Sequence, residues 1–267
     1  MTAPNIGAID VTGVQPAAQA IVRRLARVYL DHLGPALETL VAHGSAVKGG
    51  YIRGSSDVDV VAFVEPEILT SSGQLPLEQA LDLHRDLARI DSAPFRYLQG
   101  YVYPIGGRPG PGFIPGTFHV VVGAGTVPIA TSDELLLEAR KALAALDPTV
   151  LTTRLSNALL DHGEGRLFRQ MRFLCTDVWP AMYHVACVQE GDGMAAWQRT
   201  KSEVVPILGD DPIVGPPLRR WVDAVTRHYA GEETVETALD GIRAGVAFLE
   251  AAAEWWRCRA SNHEDKV

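Results

Sequence analysis

Between residues 44 and 59 the chain places Gly44-Ser45, then Ser56, then Asp57 and Asp59 on either side of Val58. On an extended strand, residues i and i+2 project to the same side. Asp57 and Asp59 therefore present two carboxylates together, while Val58 and Val60 turn the opposite way into a core. Two such charges repel unless a cation sits between them. Hard oxygen donors in this number suit Mg²⁺, which keeps waters and takes phosphate oxygens as its remaining ligands. Aspartate is disfavoured in strands, so two on one face point to a use rather than to an incidental solvent-facing strand. Gly44 permits close backbone approach, and the hydroxyl and amide of Ser45 can hold a phosphate if a helix begins there. The chemistry implied is a nucleoside triphosphate held at Ser45, with its metal at Asp57 and Asp59.

These residues need elements to position them. The run 57–64, DVDVVAFV, is rich in β-branched residues and predicts a strand. Residues 37–42 form a short apolar run expected to be a buried strand. Ahead of it, residues 16–33 carry Ile21, Leu25, Val28, Tyr29 and Leu33 at helical spacing, with Arg23, Arg24 and Arg27 off that stripe and Pro35 beyond the end. Residues 1–14 read as a loose start. Further expectations are a helix over 76–90, a strand over 95–103, a glycine- and proline-rich loop over 104–116 and a strand over 118–122. The texture then changes. Thr131-Ser-Asp-Glu134 fits a capping box, and helices are expected over 135–146, 149–161, 165–189, 194–207, 216–229 and 233–259, with a frayed polar tail from Ser261. The division falls near residue 130, between an α/β part (1–130) and a helical part (131–267).

Composition narrows the function classes. The chain has 267 residues, 47% of them hydrophobic and 21% charged, with 25 Gly and 17 Pro, which excludes collagen, coiled coil or disorder as whole-chain descriptions. A net charge of −8 makes a poor nucleic-acid binder and suits a cationic small molecule instead. Cys175, Cys187 and Cys258 stand far apart and read as free thiols in a reducing cytosol. No secretory pattern and no long apolar run is apparent, so a cytoplasmic protein without a membrane partner is expected. The segment 123–128 has Pro128 in place of the third glycine of a dinucleotide fingerprint, and no P-loop, GxSxG or HExxH motif occurs.

Gly44-Ser45-Ala46-Val47-Lys48-Gly49-Gly50 and Ser56-Asp57-Val58-Asp59-Val60 resemble the polymerase-β-type nucleotidyltransferase signature. Within that superfamily the closest likeness is to the aminoglycoside O-nucleotidyltransferases of the streptomycin/spectinomycin 3″-adenylyltransferase type. Trp197-Gln-Arg-Thr-Lys201 and Val225-Thr-Arg-His-Tyr229-Ala-Gly231 are similar to that family's lysine-bearing helix and its later helix. The resemblance implies an α+β nucleotidyltransferase fold, a small mixed sheet with helices, over 1–130. An all-α helical bundle over 131–267 would follow as the substrate-binding domain, with the acceptor between the two. It implies ATP as co-substrate, Mg²⁺, and adenylylation of a hydroxyl on a small cationic acceptor, an aminoglycoside or aminocyclitol. Asp57 and Asp59 would be the catalytic metal ligands, and Gly44, Ser45, Ser56 and Lys201 would bind the nucleotide. Lys201 has a structural alternative, because Thr200-Lys-Ser-Glu203 is also a capping box. The superfamily's third carboxylate should lie on the strand 95–103, which contains no Asp or Glu; Gln99 stands in its place. Glutamine cannot accept a proton, so the base would be Asp91 or a carboxylate of the helical part, or turnover would be lost. The rival readings are a nucleotide-binding module without turnover and an adenylyltransferase acting on a protein or another metabolite.

Overall fold

The computed structural model describes residues 8–163, 165–231 and 233–264, and the chain divides into two compact units, Met1–Ala130 and Thr131–Val267. In the first unit, α1 (Pro16–Leu33) leads into β1 (Leu37–His43), the single turn α2 (Ser45–Lys48) and β2 (Val58–Val64). Then come α3 (Leu77–Leu87), β3 (Leu98–Pro104) and β4 (Phe118–Val122). Among the described residues the strands form one mixed sheet in the order β3-β2-β1-β4, with β1 antiparallel to both neighbours and β2 parallel to β3.

Alternation along the strands decides what each face buries. Leu40, Ala42, Val58, Val60, Ala62 and Val64 pack with Ile21, Val22, Leu25 and Tyr29 of α1. Burying each Val, Leu or Ile of this set stabilises by roughly 1.5–3 kcal/mol, which fixes the register, since a one-residue slip would turn the set to solvent. Val41, Val61 and Phe63 face the other way and are covered by Phe113 and Val127 from the connecting segments. Asp57 and Asp59 continue this second face toward the start of β2. Asp57 lies one residue ahead of the strand rather than inside it, because the first ladder bond is Val58 N–H to the Tyr97 carbonyl.

The N-terminal stretch is less loose than its composition suggests. Val11 and Val14 are buried, and Asp10 N–H donates to the Val121 carbonyl; residues 1–7 of the expected loose start lie outside the described residues.

The second unit contains α4 (Ser132–Ala144), α5 (Pro148–Ala158), α6 (Arg166–Glu190), α7 (Gly193–Gln198), α8 (Lys201–Gly209), α9 (Gly215–Tyr229) and α10 (Val235–Glu264). The capping box at Thr131 and Glu134 begins α4 as the sequence predicts. The helix expected over 194–207 is two helices. Arg199 adopts an extended conformation between them, and the Tyr183 hydroxyl donates to its carbonyl at 2.9 Å. The segment 261–264, expected to be frayed, is the last turn of α10; residues 265–267 of that tail lie outside the described residues. Trp221, Trp255, Phe248, Met171, Leu174 and Met182 are fully buried. Helices α10 and α6 approach closely at Gly245, where a Cβ would stand 2.5 Å from Leu174 Cδ2 and 2.8 Å from Trp221 Cζ3. The molecule is thus mixed α and β with a small sheet, and among the described residues no helix is long and apolar enough to cross a membrane.

Candidate functional site

The antiparallel pairing of β1 with β2 sets His43 opposite Asp59. The chain must then leave β1 sharply, and Gly44 does so at φ +70°, a conformation that side-chain-bearing residues avoid. A Cβ on Gly44 would lie 3.0 Å from Asp59 Oδ2, so glycine lets the backbone pass close beside that carboxylate. Gly44 N–H donates to the Thr117 carbonyl at 3.0 Å, and its own carbonyl accepts from Val47 and Lys48, which starts α2 at Ser45. Ser45 is buried, with its Oγ 3.5 Å from the Asp57 carbonyl oxygen, at the outer limit of a hydrogen bond. Gly44, Ser45, Asp57 and Asp59 are thereby brought to one end of the β1–β2 pair.

The other two nucleotide-binding candidates sit differently. The Ser56 hydroxyl is buried and accepts the Ile52 N–H at 2.9 Å, bracing the loop that delivers Asp57. Lys201 belongs to the second unit. It is the first residue of α8, inside the capping box formed by Thr200 and Glu203, and its Nζ lies 5.5 Å from the Trp179 ring centroid, within cation–π range.

Gln99 is the register partner of Asp59 on β3. Its side chain is held at both ends: Oε1 accepts from the Tyr97 hydroxyl at 2.7 Å, and Nε2 donates to the Tyr101 hydroxyl. The place beside Asp59 is thus filled by a neutral amide clasped between two phenols. Asp91, the alternative base, lies exposed in the turn before β3, where Oδ1 accepts the Ala93 N–H at 3.0 Å. Among the described residues no group of three or more His, Cys, Asp or Glu could hold a metal ion, so the acidic donor set at the β2 end is the Asp57–Asp59 pair.

Three residues of this region escape the motif reading. His43 precedes Gly44, its Nε2 is buried without a hydrogen-bond partner, and its ring meets Phe113 edge-on at 5.7 Å. Burial pushes its pKa down to about 4 against the opposing pull of Asp57, leaving a neutral imidazole at pH 7. Its alternation with Val41 in β1 was the available signal. Tyr97 and Tyr101 were equally legible from their i−2 and i+2 spacing about Gln99, which puts all three on one face of the strand.

No protein-family model matches the chain, and no curated protein matches it significantly.

Proposed function

We propose that this chain is a polymerase-β-type nucleotidyltransferase that transfers AMP from ATP to a hydroxyl of a small molecule, an aminoglycoside or aminocyclitol. The reaction is R–OH + ATP → R–O–AMP + pyrophosphate. The observation that supports it is the approach of Gly44 to the Asp59 carboxylate, with Ser45 beside Asp57. Two carboxylates beside a close-passing glycine suit Mg²⁺, whose remaining ligands are waters and phosphate oxygens. Bound there, Mg²⁺ would neutralise charge on the transferring phosphate. Asp57 and Asp59 hold it. The Ser45 hydroxyl and the first amides of α2 take phosphate oxygens, and Ser56 keeps the loop in place. Lys201 is the cation that the resemblance assigns to the leaving pyrophosphate. Catalysis on this reading is positioning and charge stabilisation. The net charge of −8 favours a cationic acceptor.

One observation favours a second reading, a nucleotide-binding module without turnover: Gln99 stands in register with Asp59 and cannot serve as a base. A pyrophosphate-release assay with Mg²⁺-ATP and an aminoglycoside panel separates the two. On the first reading the wild type turns over, and Asp57→Asn and Asp59→Asn each lose on the order of 10²-fold or more while still melting cooperatively, since both carboxylates are only half-buried. Wild-type rates in either variant would remove these aspartates from the site. Silence from the wild type together with saturable ATP binding selects the second reading.

A further inference from the structure

The helical unit contains a cavity of about 440 Å³, bounded by the end of α4, by α5, by the middle of α6 and by α10. None of its lining residues is among those assigned above to nucleotide or metal. Its floor is hydrocarbon: Leu143, Leu151, Ala181 and Leu249, all buried. Its rim is charged. Arg154 Nη2 of α5 meets Asp177 Oδ2 of α6 at 2.7 Å, and Asp147 lies beside them with its Oδ1 accepting the Thr149 and Val150 N–H groups.

Between rim and floor, α6 carries Pro180 in its interior. Proline has no N–H, so the Thr176 carbonyl lacks its i+4 donor. Thr176 and Pro180 both line the cavity. The polar side of the space is therefore rich in acceptors, with Asp147, Asp177 and the Thr176 carbonyl set against one guanidinium and the half-buried imidazole of His184. An anion entering here would have to break the Arg154–Asp177 pair and face two carboxylates. An ammonium would instead join the pair, because an ionised carboxylate has lone pairs to spare beyond one Arg contact. The four floor side chains give hydroxyl groups no partner; only the His184 imidazole beside them does, and unpaired polar groups are costly to bury. A polyhydroxylated polyamine is thus disfavoured there, since most of its hydroxyls would meet hydrocarbon.

We propose that this cavity binds a small primary monoamine with an apolar ring or chain, its ammonium at Asp177 and the Thr176 carbonyl and its body against Leu143, Leu151, Ala181 and Leu249. The volume is within the usual range of small-molecule sites, about 300–1,000 Å³. The proposal does not rest on the nucleotidyl-transfer reading, and its test contains no nucleotide.

The test is calorimetric titration of the full chain with 2-phenylethylamine, with 2-phenylethanol and 3-phenylpropionate as controls of matched size. The amine binds saturably at millimolar concentration, and each control binds at least about tenfold more weakly. Asp177→Asn weakens the amine by at least about tenfold. Val150→Trp abolishes binding by filling the mouth from a position that is 65% exposed, where the fold does not depend on the residue. Should Asp177→Asn melt early, Val150→Trp and the two controls carry the same question. Absence of saturable amine binding, equal binding of either control, or an isotherm unchanged by Val150→Trp would overturn the proposal.

Discussion

Gln99 has an amide committed at both ends, and that makes the consequence of recharging it predictable. In Gln99→Glu both carboxylate oxygens are acceptors, and the Tyr97 and Tyr101 hydroxyls are both able to donate to them. The size of the side chain is almost unchanged, so the variant should melt within a few degrees of the wild type. If a missing base limits turnover, pyrophosphate release on the aminoglycoside panel should rise, since general-base catalysis contributes about 10²–10⁴-fold. An unchanged or lower rate in a folded variant places the limitation elsewhere. His43 supports a second prediction at this scale. Its folded pKa of about 4 lies below the unfolded value near 6.5, so the unfolded chain takes up the proton first as the solution is acidified. The stability it contributes is complete above pH 6.5 and is lost as the pH falls from 6.5 toward 4, by a total on the order of 3 kcal/mol. Urea unfolding at pH 7 and pH 4.5 should show this decline in the wild type and a shallower one in His43→Phe; equal slopes would contradict the assignment.

At the scale of elements, close packing makes its own prediction. Gly245 of α10 faces Leu174 and Trp221 with no space for a side chain, so Gly245→Val should cost about 1–3 kcal/mol in urea unfolding through overpacking. A change within the error of the measurement would mean that the helices separate without resistance. Most elements were readable from periodicity because their apolar residues face one core: the stripe on α1 and the β-branched run of β2 are examples. Where the reading missed, a group distant in sequence had intervened. The Tyr183 hydroxyl bonds the Arg199 carbonyl between α7 and α8, a partner on α6 that nothing within 194–207 announces, although the Thr200–Glu203 capping box already marks the start of α8. The boundary of β2 shifted by one residue because its pairing begins at Val58, whose N–H donates to the carbonyl of Tyr97 far along the chain. At the candidate site, the alternation that pairs carboxylates on one side was legible, as was the absence of an acid on β3. The phenol clasp about Gln99 needed side-chain conformations, which alternation alone does not supply.

For the whole molecule, a ligand that binds only the folded chain must raise its stability by mass action. Mg²⁺-ATP at about 100 times its dissociation constant should add roughly 2.7 kcal/mol, read as an upward shift in thermal melting that Asp57→Asn and Asp59→Asn diminish. No shift at millimolar Mg²⁺-ATP would remove every nucleotide-based reading of the chain. The division into two units was legible at Thr131, where alternating strands and glycine-rich loops give way to unbroken helical periodicity. Strand order, in contrast, is set by pairings between distant residues, and it bears on how the protein is made. β1 is an interior strand whose second neighbour, β4, is the last strand of the sheet in the chain. On a ribosome, β1, β2 and β3 emerge together, while one edge of β1 waits with its N–H and C=O groups unpaired until residues 118–122 arrive. An open strand edge is a template for pairing with other chains. The Gly44 amide waits as well, because its acceptor is the carbonyl of Thr117. The turn that presents Ser45 is therefore among the last parts of the first unit to be tied down, and a nascent chain stalled before β4 would carry the candidate site's residues without their geometry.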